Sequence, residues 1–228
     1  MDANEIRPAI TANRVPTPTL ERLATYLKCL HDVAQAGVTT ISSAALQEMA
    51  GINASQFRKD LSYFGEFGRP GVGYHVEDLH DRITAILHMD VDQRMLLVGA
   101  GNLGAALAGY TGMSDERLHL VAAFDNDPAR IGRKLGQLDV KPVEAITAIN
   151  AELGARIGIL AVPRSAAQSV AVLMIAAGVR AILNFAPIIL RVPSHVIVRN
   201  VCVTQELSVL CYHLEAMPTD GTDPQREG

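Results

Sequence analysis

The sequence predicts an α/β chain with two domains, a small helical one followed by a doubly wound parallel sheet. Three observations predict this. Amphipathic helical periodicity dominates residues 17–87. From about residue 93, short apolar strands alternate with helices, as in parallel sheets covered on both faces. The chain has 228 residues, 49% of them hydrophobic, so both domains can bury a core.

Composition limits the partners that the chain can have. A net charge of −4 gives no general attraction to nucleic acid or to an anionic membrane, so a nucleic-acid contact must come from a local patch. The three cysteines show no metal-ligand spacing, and the first residues lack a secretory signal. We therefore expect a reducing, cytoplasmic location. No apolar run is long enough to cross a bilayer, so no membrane partner is expected.

Two helices are predicted after a polar, proline-containing arm at residues 1–16. Thr17 is expected to cap the first, with Pro18 at its first helical position. Ser42 and Ser43 are expected to cap a second, two-turn helix that ends at Gly51. The apolar face of the first helix recurs at three- and four-residue spacing through Leu20, Leu23, Ala24, Leu27 and Leu30.

A third helix follows the turn at Gly51, with Asn53 as its cap and Gln56 at the reciprocal capping position. Two short helices joined by such a turn are typical of a helix-turn-helix. Apolar residues share one face of the third helix, and amide, hydroxyl and basic groups occupy the other. Amide, hydroxyl and basic side chains can contact phosphates and base edges of DNA. The candidate DNA-contacting residues on this polar face are Ser55, Gln56, Arg58, Lys59 and Ser62.

Residues 65–76 are β-prone around a Gly/Pro tip, which predicts a hairpin wing with Arg69 placed to enter a minor groove or contact a phosphate. A protein-interaction module is the alternative, since residues 1–90 carry 8 Lys/Arg against 11 Asp/Glu. The clustering of basic residues on the third helix and the wing favours DNA. Residues 76–87 predict one further amphipathic helix that connects the two domains.

The first strand of the second domain runs into a G-x-G-x-x-G spacing. The first glycine permits a tight turn, the second lets a pyrophosphate approach the backbone, and the third lets the next helix pack closely. This run, called the glycine loop below, supplies six candidate cofactor-binding residues: Gly99, Ala100, Gly101, Asn102, Leu103 and Gly104.

A second apolar strand ends in Asp125, 21 positions after Gly104. A dinucleotide fold places there the carboxylate that accepts hydrogen bonds from the adenosine ribose. Such a carboxylate repels a 2′-phosphate, so NAD(H) is expected and NADP(H) is not. The alternative is an aspartate that caps the loop before Pro128.

The remaining pattern predicts a minor strand at 135–140, helices at 142–153 and 166–177, and strands at 156–162, 181–185 and 196–198. Together they describe a Rossmann-type doubly wound parallel sheet behind an N-terminal winged helix-turn-helix. Cofactors lie at the carboxyl ends of such strands, which nominates four nicotinamide-side residues: Val162, Pro163, Asn184 and Phe185.

A final helix at 204–213 carries apolar residues that need a cover. It can dock on its own domain or exchange onto a second subunit. Because a helix-turn-helix usually reads paired half-sites, we favour a homodimer. The expected division is a DNA-binding domain at 1–90, a nucleotide-binding domain at 91–201 and a dimerisation helix with a polar tail at 202–228.

The sequence resembles the Rex family of bacterial redox-sensing transcriptional repressors over nearly its whole length. The specific runs are RKDLSYFGEFG at 58–68, GVGY at 71–74, FDNDP at 124–128 and ILNFAP at 182–187. The resemblance implies a homodimer on a palindromic AT-rich operator, an exchanged terminal helix, and repression of respiratory and fermentative genes that is relieved by NADH. Tyr110 matches a family tyrosine implicated in the switch. The chain departs from the family at Lys28 and Cys202, where members often carry an Arg and an Asp that pair across the dimer.

The apolar nicotinamide walls suggest why NADH acts as the signal and NAD+ as a weaker competitor, because a cationic ring is costlier to desolvate than a neutral one. Two other classes remain as alternatives. An NAD-dependent enzyme needs a placed acid or base, and neither His195 nor His213 falls at a strand end that faces the site. An NAD-gated interaction subunit needs no DNA, and a thiol switch at Cys202 with Cys29 is a further alternative. We therefore expect a sensor that is not an enzyme.

Overall fold

The computed structural model describes residues 15–68, 73–110 and 117–216. The chain divides into two compact units, Met1–Asp92 and Gln93–Gly228. Most of the predicted N-terminal arm and the polar tail lie outside the described residues.

The first unit contains four helices and two short strands within its described residues: α1 (Thr17–Gln35), β1 (Thr40–Ile41), α2 (Ser43–Ala50), α3 (Ala54–Ser62), β2 (Tyr74–His75) and α4 (Val76–Ile86). The predicted connector α4 packs into this unit through its buried residues Val76, Leu79 and Ile83. Its core partners on the other helices include Leu23, Tyr26, Leu30, Phe57 and Leu61, all nearly inaccessible to solvent.

The cap expected at Thr17 is wrong by one residue. Pro16 is the N-cap of α1, and its carbonyl accepts from the N–H groups of Thr19 and Leu20. Pro16 is extended and lacks a side-chain acceptor, so its backbone alone begins the helix. The predicted apolar face is also rotated, because Leu20 and Ala24 are exposed whereas Tyr26 and Val33 are buried.

The other helix boundaries near the turn are confirmed. Ser42 Oγ accepts from the Ala45 N–H at 3.1 Å, and Asn53 Oδ1 accepts from the Ser55 N–H at 2.8 Å. Gly51 ends α2 in the left-handed conformation, with φ 66°. These residues set the turn between α2 and α3.

The predicted hairpin is wrong in its first arm. β2 pairs antiparallel with β1, with Thr40 opposite His75, while residues 65–68 form no strand. Gly65 and Gly68 have φ of 110° and 73°, outside the β region, which explains the missing arm. The tip with Arg69 lies outside the described residues.

The second unit is a seven-stranded sheet in the order β5-β6-β4-β3-β7-β8-β9. The strands are β3 (Gln93–Val98), β4 (Leu118–Asp125), β5 (Lys134–Leu135), β6 (Leu138–Pro142), β7 (Ile157–Leu160), β8 (Ala181–Asn184) and β9 (Ile197–Asn200). All neighbours run parallel except β5 and β6. The doubly wound parallel sheet is therefore confirmed, with one correction. The single minor strand expected at 135–140 is a two-stranded hairpin turning at Gly136 (φ 60°).

The helices of the second unit within its described residues are α5 (Asn102–Ala108), α6 (Ile146–Leu153), α7 (Arg164–Ala176) and α8 (Val203–Ala216). A 3₁₀ turn at Val143–Ala145 precedes α6, so the helix expected from 142 begins later. The central strand β3 feeds both faces of the sheet: Leu96 and Val98 belong to one core cluster and Leu97 to another. This alternation fixes β3 in the middle of the sheet and holds the glycine loop at its carboxyl edge.

Helix α8 does not dock on its own domain, because each described side chain from Val203 to Glu215 is exposed. Leu207, Leu210 and Leu214 are 52%, 57% and 65% exposed. None of the helices within the described residues is long and apolar enough to cross a membrane.

Candidate dinucleotide site and recognition helix

The glycine loop lies between the carboxyl ends of β4 and β7. The Gly99 N–H donates to the Phe124 carbonyl and the Ala161 N–H donates to the Val98 carbonyl, each at 2.8 Å. Gly99 has φ 104°, and a Cβ there would collide with the Ala161 carbonyl. Only glycine therefore permits this turn between three adjacent strand ends.

The third glycine performs the packing role that the spacing predicts. A Cβ on Gly104 would overlap the Gly99 carbonyl oxygen, so α5 approaches β3 more closely than any side chain allows. The second glycine differs from both. A Cβ on Gly101 would meet no atom nearer than Arg130 Nη1 at 3.6 Å, so the fold itself does not require glycine there.

Asp125 lies at the end of β4, as predicted, but its carboxylate accepts hydrogen bonds from other groups of the protein. It is 4% exposed and accepts from the N–H groups of Ala100 at 2.7 Å and Asp127 at 2.9 Å. Arg130 Nη1 donates to the same carboxylate at 3.1 Å. Asp125 thus holds the glycine loop and the following turn together, and its role toward a ribose stays a prediction.

Sequence reasoning did not single out Arg130. Its guanidinium lies 3.1 Å from Asp125 and 3.5 Å from Asp127, and it projects over Gly101. Its position five residues after a strand-ending aspartate was the available signal. Arg130 is a half-exposed cation beside the loop.

The state of Asp125 predicts an acid-labile sheet domain. Burial raises the pKa of Asp125, but hydrogen bonds from the Asp127 and Ala100 N–H groups and from Arg130 outweigh it and hold the pKa below its ordinary value. A lowered folded-state pKa gives stability that is present above about pH 4 and is lost as the pH falls through the folded value. Asp125→Asn should therefore flatten the fall in unfolding free energy below pH 4, by up to about 1.4 kcal/mol per pH unit. Urea unfolding followed by circular dichroism between pH 3 and 6 measures it, and an unchanged slope would contradict it.

The nominated nicotinamide-side residues lie at the carboxyl ends of two neighbouring strands, β7 and β8. Val162 is half-buried and packs against the core beside the glycine loop, Pro163 caps α7, and Phe185 is half-buried. Asn184 is completely buried, and both its amide nitrogen and its amide oxygen form hydrogen bonds within the protein. Its amide donates to the Ile188 and Ala186 carbonyls and to Asn200, and accepts from the Ala186 N–H. Asn184 shapes the loop that presents Phe185 and is not itself an exposed wall.

Tyr110 lies away from these residues. It is 64% exposed and follows the C-terminus of α5, whereas the glycine loop precedes the N-terminus of the same helix. A cavity of about 420 Å³ adjoins it, lined also by His119, Leu135 and Gln137. The structure does not bring Tyr110 to the glycine loop, and its cofactor role stays a prediction.

Helix α3 presents four of its five predicted DNA-contacting residues to solvent: Ser55, Arg58, Lys59 and Ser62 are exposed. Arg58 Nη1 donates to Ser43 Oγ at 3.0 Å, which braces the guanidinium against the first turn of α2. Gln56 is half-buried, and the reciprocal cap expected of it is wrong. Its Nε2 donates to Asp60 Oδ1 at 2.8 Å, because a buried carboxylate competes for the amide.

Asp60 is the polar residue of this unit that sequence reasoning missed. Its side chain is fully buried and accepts from Thr19, Arg22, Tyr26 and Gln56, a group called the Asp60 cluster below. Burial raises the pKa of Asp60, but hydrogen bonds from Arg22, Gln56 and Tyr26 hold it below its ordinary value. An aspartate four residues after Gln56 on a helix was the only sequence signal.

Both units of the chain match known protein families. Residues 14–62 match the family model "Putative DNA-binding protein N-terminus", and residues 90–188 match "CoA binding domain". The Rex redox-sensing transcriptional repressor of Pelotomaculum thermopropionicum is 45% identical over 203 residues, 89% of this chain and 95% of the relative. That of Carboxydothermus hydrogenoformans is 43% identical over 88% of this chain and 97% of the relative.

The chain belongs to the Rex family of redox-sensing transcriptional repressors. Solved structures agree: RSP, a Rex-family repressor, matches at 39% identity and TM-score 0.84 in complex with β-NAD+ and operator DNA, over 89% of this chain and 93% of that one. RSP in complex with β-NADH matches at 37% identity and TM-score 0.82, over 89% of this chain and 95% of that one. The resemblance and the fold class predicted from the sequence are confirmed.

Cys202 is one of the two positions at which the resemblance predicts a departure from the family. It is half-buried, with its Sγ 3.1 Å from Thr204 Oγ1, and hydrogen bonds from Thr204 and from the Gln205 N–H lower the pKa of the thiol. Burial raises the pKa of Cys29, which is in the other unit. Lys28 is exposed on α1. A thiol switch at Cys202 with Cys29 stays a hypothesis.

Proposed function

We propose that this Rex protein is a homodimer that binds a palindromic AT-rich operator through α3 and is released from it when NADH binds at the glycine loop. One observation carries the proposal. A single chain combines a glycine loop, where only the end of the Arg130 side chain lies near Gly101, with a helix that exposes Arg58 and Lys59. The complexes of RSP with NADH, and with NAD+ and operator DNA, support the same assignment.

The charges beside the glycine loop support NAD(H) over NADP(H). Asp125 and Asp127 both lie within 3.5 Å of the Arg130 guanidinium, so two carboxylates outnumber one cation. A 2′-phosphate brought to this edge would meet net negative charge. We therefore propose that the site rejects NADP(H).

The nicotinamide side supports NADH as the effective ligand and NAD+ as the weaker one. Val162, Pro163 and Phe185 offer apolar surface, and desolvating a cationic ring against them costs more than desolvating the neutral dihydronicotinamide. Only a ligand that prefers the released state can shift the equilibrium toward release. None of these three side chains donates or accepts a proton, which supports a sensor that leaves its ligand chemically unchanged.

The exposed apolar residues of α8 support the homodimer, because a second subunit would cover Leu207, Leu210 and Leu214. A cytoplasmic location follows from the proposed action on operator DNA.

Gly101→Ala tests the phosphate position selectively. The methyl group meets only the end of the Arg130 side chain, so the thermal unfolding temperature should fall only by the small cost of alanine in place of glycine at the N-cap of α5. A pyrophosphate that approaches the Gly101 backbone would collide with it, and NADH affinity should fall roughly tenfold or more. Titration calorimetry measures the loss. Undiminished NADH affinity would place the pyrophosphate elsewhere.

Fluorescence anisotropy tests the proposal as a whole. Labelled AT-rich palindromic duplex and a shuffled duplex of equal composition are titrated with the protein, and NADH is then added. We expect a complex only with the palindrome and its dissociation by NADH. An enzyme or a protein adaptor would give no sequence-specific, NADH-sensitive complex.

A further inference from the structure

The Asp60 cluster joins α3 to α1 through one buried carboxylate. Asp60 Oδ2 accepts from Arg22 Nε at 2.6 Å and from the Tyr26 hydroxyl at 3.0 Å. Oδ1 accepts from Arg22 Nη2 at 2.6 Å, from the Thr19 hydroxyl at 3.1 Å and from Gln56 Nε2 at 2.8 Å. Four of these five bonds come from α1, and the fifth comes from the half-buried Gln56 on α3 itself. Asp60 therefore links α1 to a half-buried side chain that lies next to the exposed residues of α3.

The bond to Gln56 determines which way its amide points. An ionised carboxylate accepts hydrogen bonds and donates none, so it selects the NH₂ end of the amide and excludes the carbonyl end. One N–H is taken by Asp60, and no other described residue bonds the second N–H or Oε1 of Gln56. One donor and one acceptor remain, in a fixed order.

Gln56 lies beside the exposed residues of α3. Gln56 is half-buried at the edge between the two faces of α3, because it is three residues before the exposed Lys59 and four before the buried Asp60. A donor and acceptor in fixed order match adenine, which offers N7 as acceptor and N6–H as donor in the major groove. Guanine offers two acceptors, N7 and O6, and repels the amide oxygen.

We propose that Asp60 is a positioning residue that locks the Gln56 amide in the orientation that selects adenine over guanine at one operator position. The inference rests on the proposed operator binding and adds to it how one base is read. Gln56 makes the contact, and Asp60 acts through it.

The test measures base preference for the full-length protein. Anisotropy gives the affinity for the palindrome and for duplexes in which each symmetry-related A·T pair is changed in turn to G·C. For the wild type, one such change should cost roughly tenfold beyond the others. Asp60→Asn, which keeps the shape but supplies a donor, should reduce that factor to about twofold. Gln56→Met should abolish it, and Asp60→Asn should add nothing further to Gln56→Met.

Thr19→Val is the matched control. It removes two hydrogen bonds from the Asp60 cluster, the one from Thr19 to Asp60 and the one from Arg22 to Thr19, and leaves Gln56 bonded, so it should lower thermal stability and keep the tenfold preference. If Asp60→Asn weakens binding to every duplex by the same factor, the positioning role is overturned. If Asp60→Asn does not fold, Gln56→Met decides, since an undiminished preference would overturn the proposal. A wild type that binds no palindrome would instead contradict the proposed function.

Discussion

Replacing both Arg58 and Lys59 with alanine is expected to weaken operator binding roughly 1000-fold or more. Both side chains are exposed on α3, and Arg58 is braced by Ser43 at 3.0 Å, so its guanidinium is held in place before DNA arrives. Each contact to a base edge or phosphate contributes about 1–3 kcal/mol, and two are lost in each subunit. The dependence of binding on salt should become shallower as well, because fewer counterions are released.

Lys141→Ala controls for the loss of charge alone. Lys141 is an exposed cation on the sheet domain, and its removal should change operator affinity by less than about twofold. NADH affinity should be the same for the wild type, the Arg58/Lys59 double variant and Lys141→Ala. An Arg58/Lys59 double variant that still binds the palindrome with wild-type affinity would remove α3 from the interface.

Gly104→Ala is expected to destabilise the sheet domain and to weaken NADH binding about 100-fold. The added methyl group would overlap the Gly99 carbonyl, and backbone on both sides leaves no flexible atom to yield. Helix α5 must move away from β3, at a cost of about 3 kcal/mol. Because the moved helix carries the glycine loop with it, a loss of about 100-fold in NADH affinity corresponds to that cost. Chemical denaturation and calorimetry measure the two effects.

Gly154→Ala is the control for glycine replacement without a clash. Gly154 ends α6 with φ 66°, and no atom lies within 4 Å of the place that the added methyl group would take, so only backbone strain of about 1 kcal/mol is added. NADH should bind it as it binds the wild type. Normal NADH binding by Gly104→Ala would show that close packing of α5 is not needed for the site.

Apolar strands and helix periodicity were predictable because burial on both faces leaves a continuous signal in the sequence. β3, β7 and β8 are buried where their apolar runs predicted. The capping residues Ser42 and Asn53 were equally predictable, since the hydrogen bond is local. The wing was not, because β2 pairs with β1 more than 30 residues earlier and spacing alone does not reveal a non-local partner.

Polar side chains were harder to place than glycines. The constraints on Gly99 and Gly104 come from backbone that the glycine spacing itself anticipates, so their packing roles were predicted. Asp60, by contrast, gains its partners from α1, 34 to 41 residues away. Gln56 was expected to cap its own helix, but it bonds Asp60, whose burial depends on the packing of α1. Asn184 was expected to form a site wall, but its side chain bonds Asn200 on β9 and the loop that follows β8.

Release of the operator by NADH but not by NAD+ tests the central claim most directly. The operator complex, formed with the wild type, is titrated with each nucleotide to the same fractional saturation, determined separately by calorimetry, and anisotropy reports the DNA that remains bound. We expect NADH to dissociate the complex and NAD+ to leave most of it intact. Equal release by the two nucleotides at matched saturation would contradict the account.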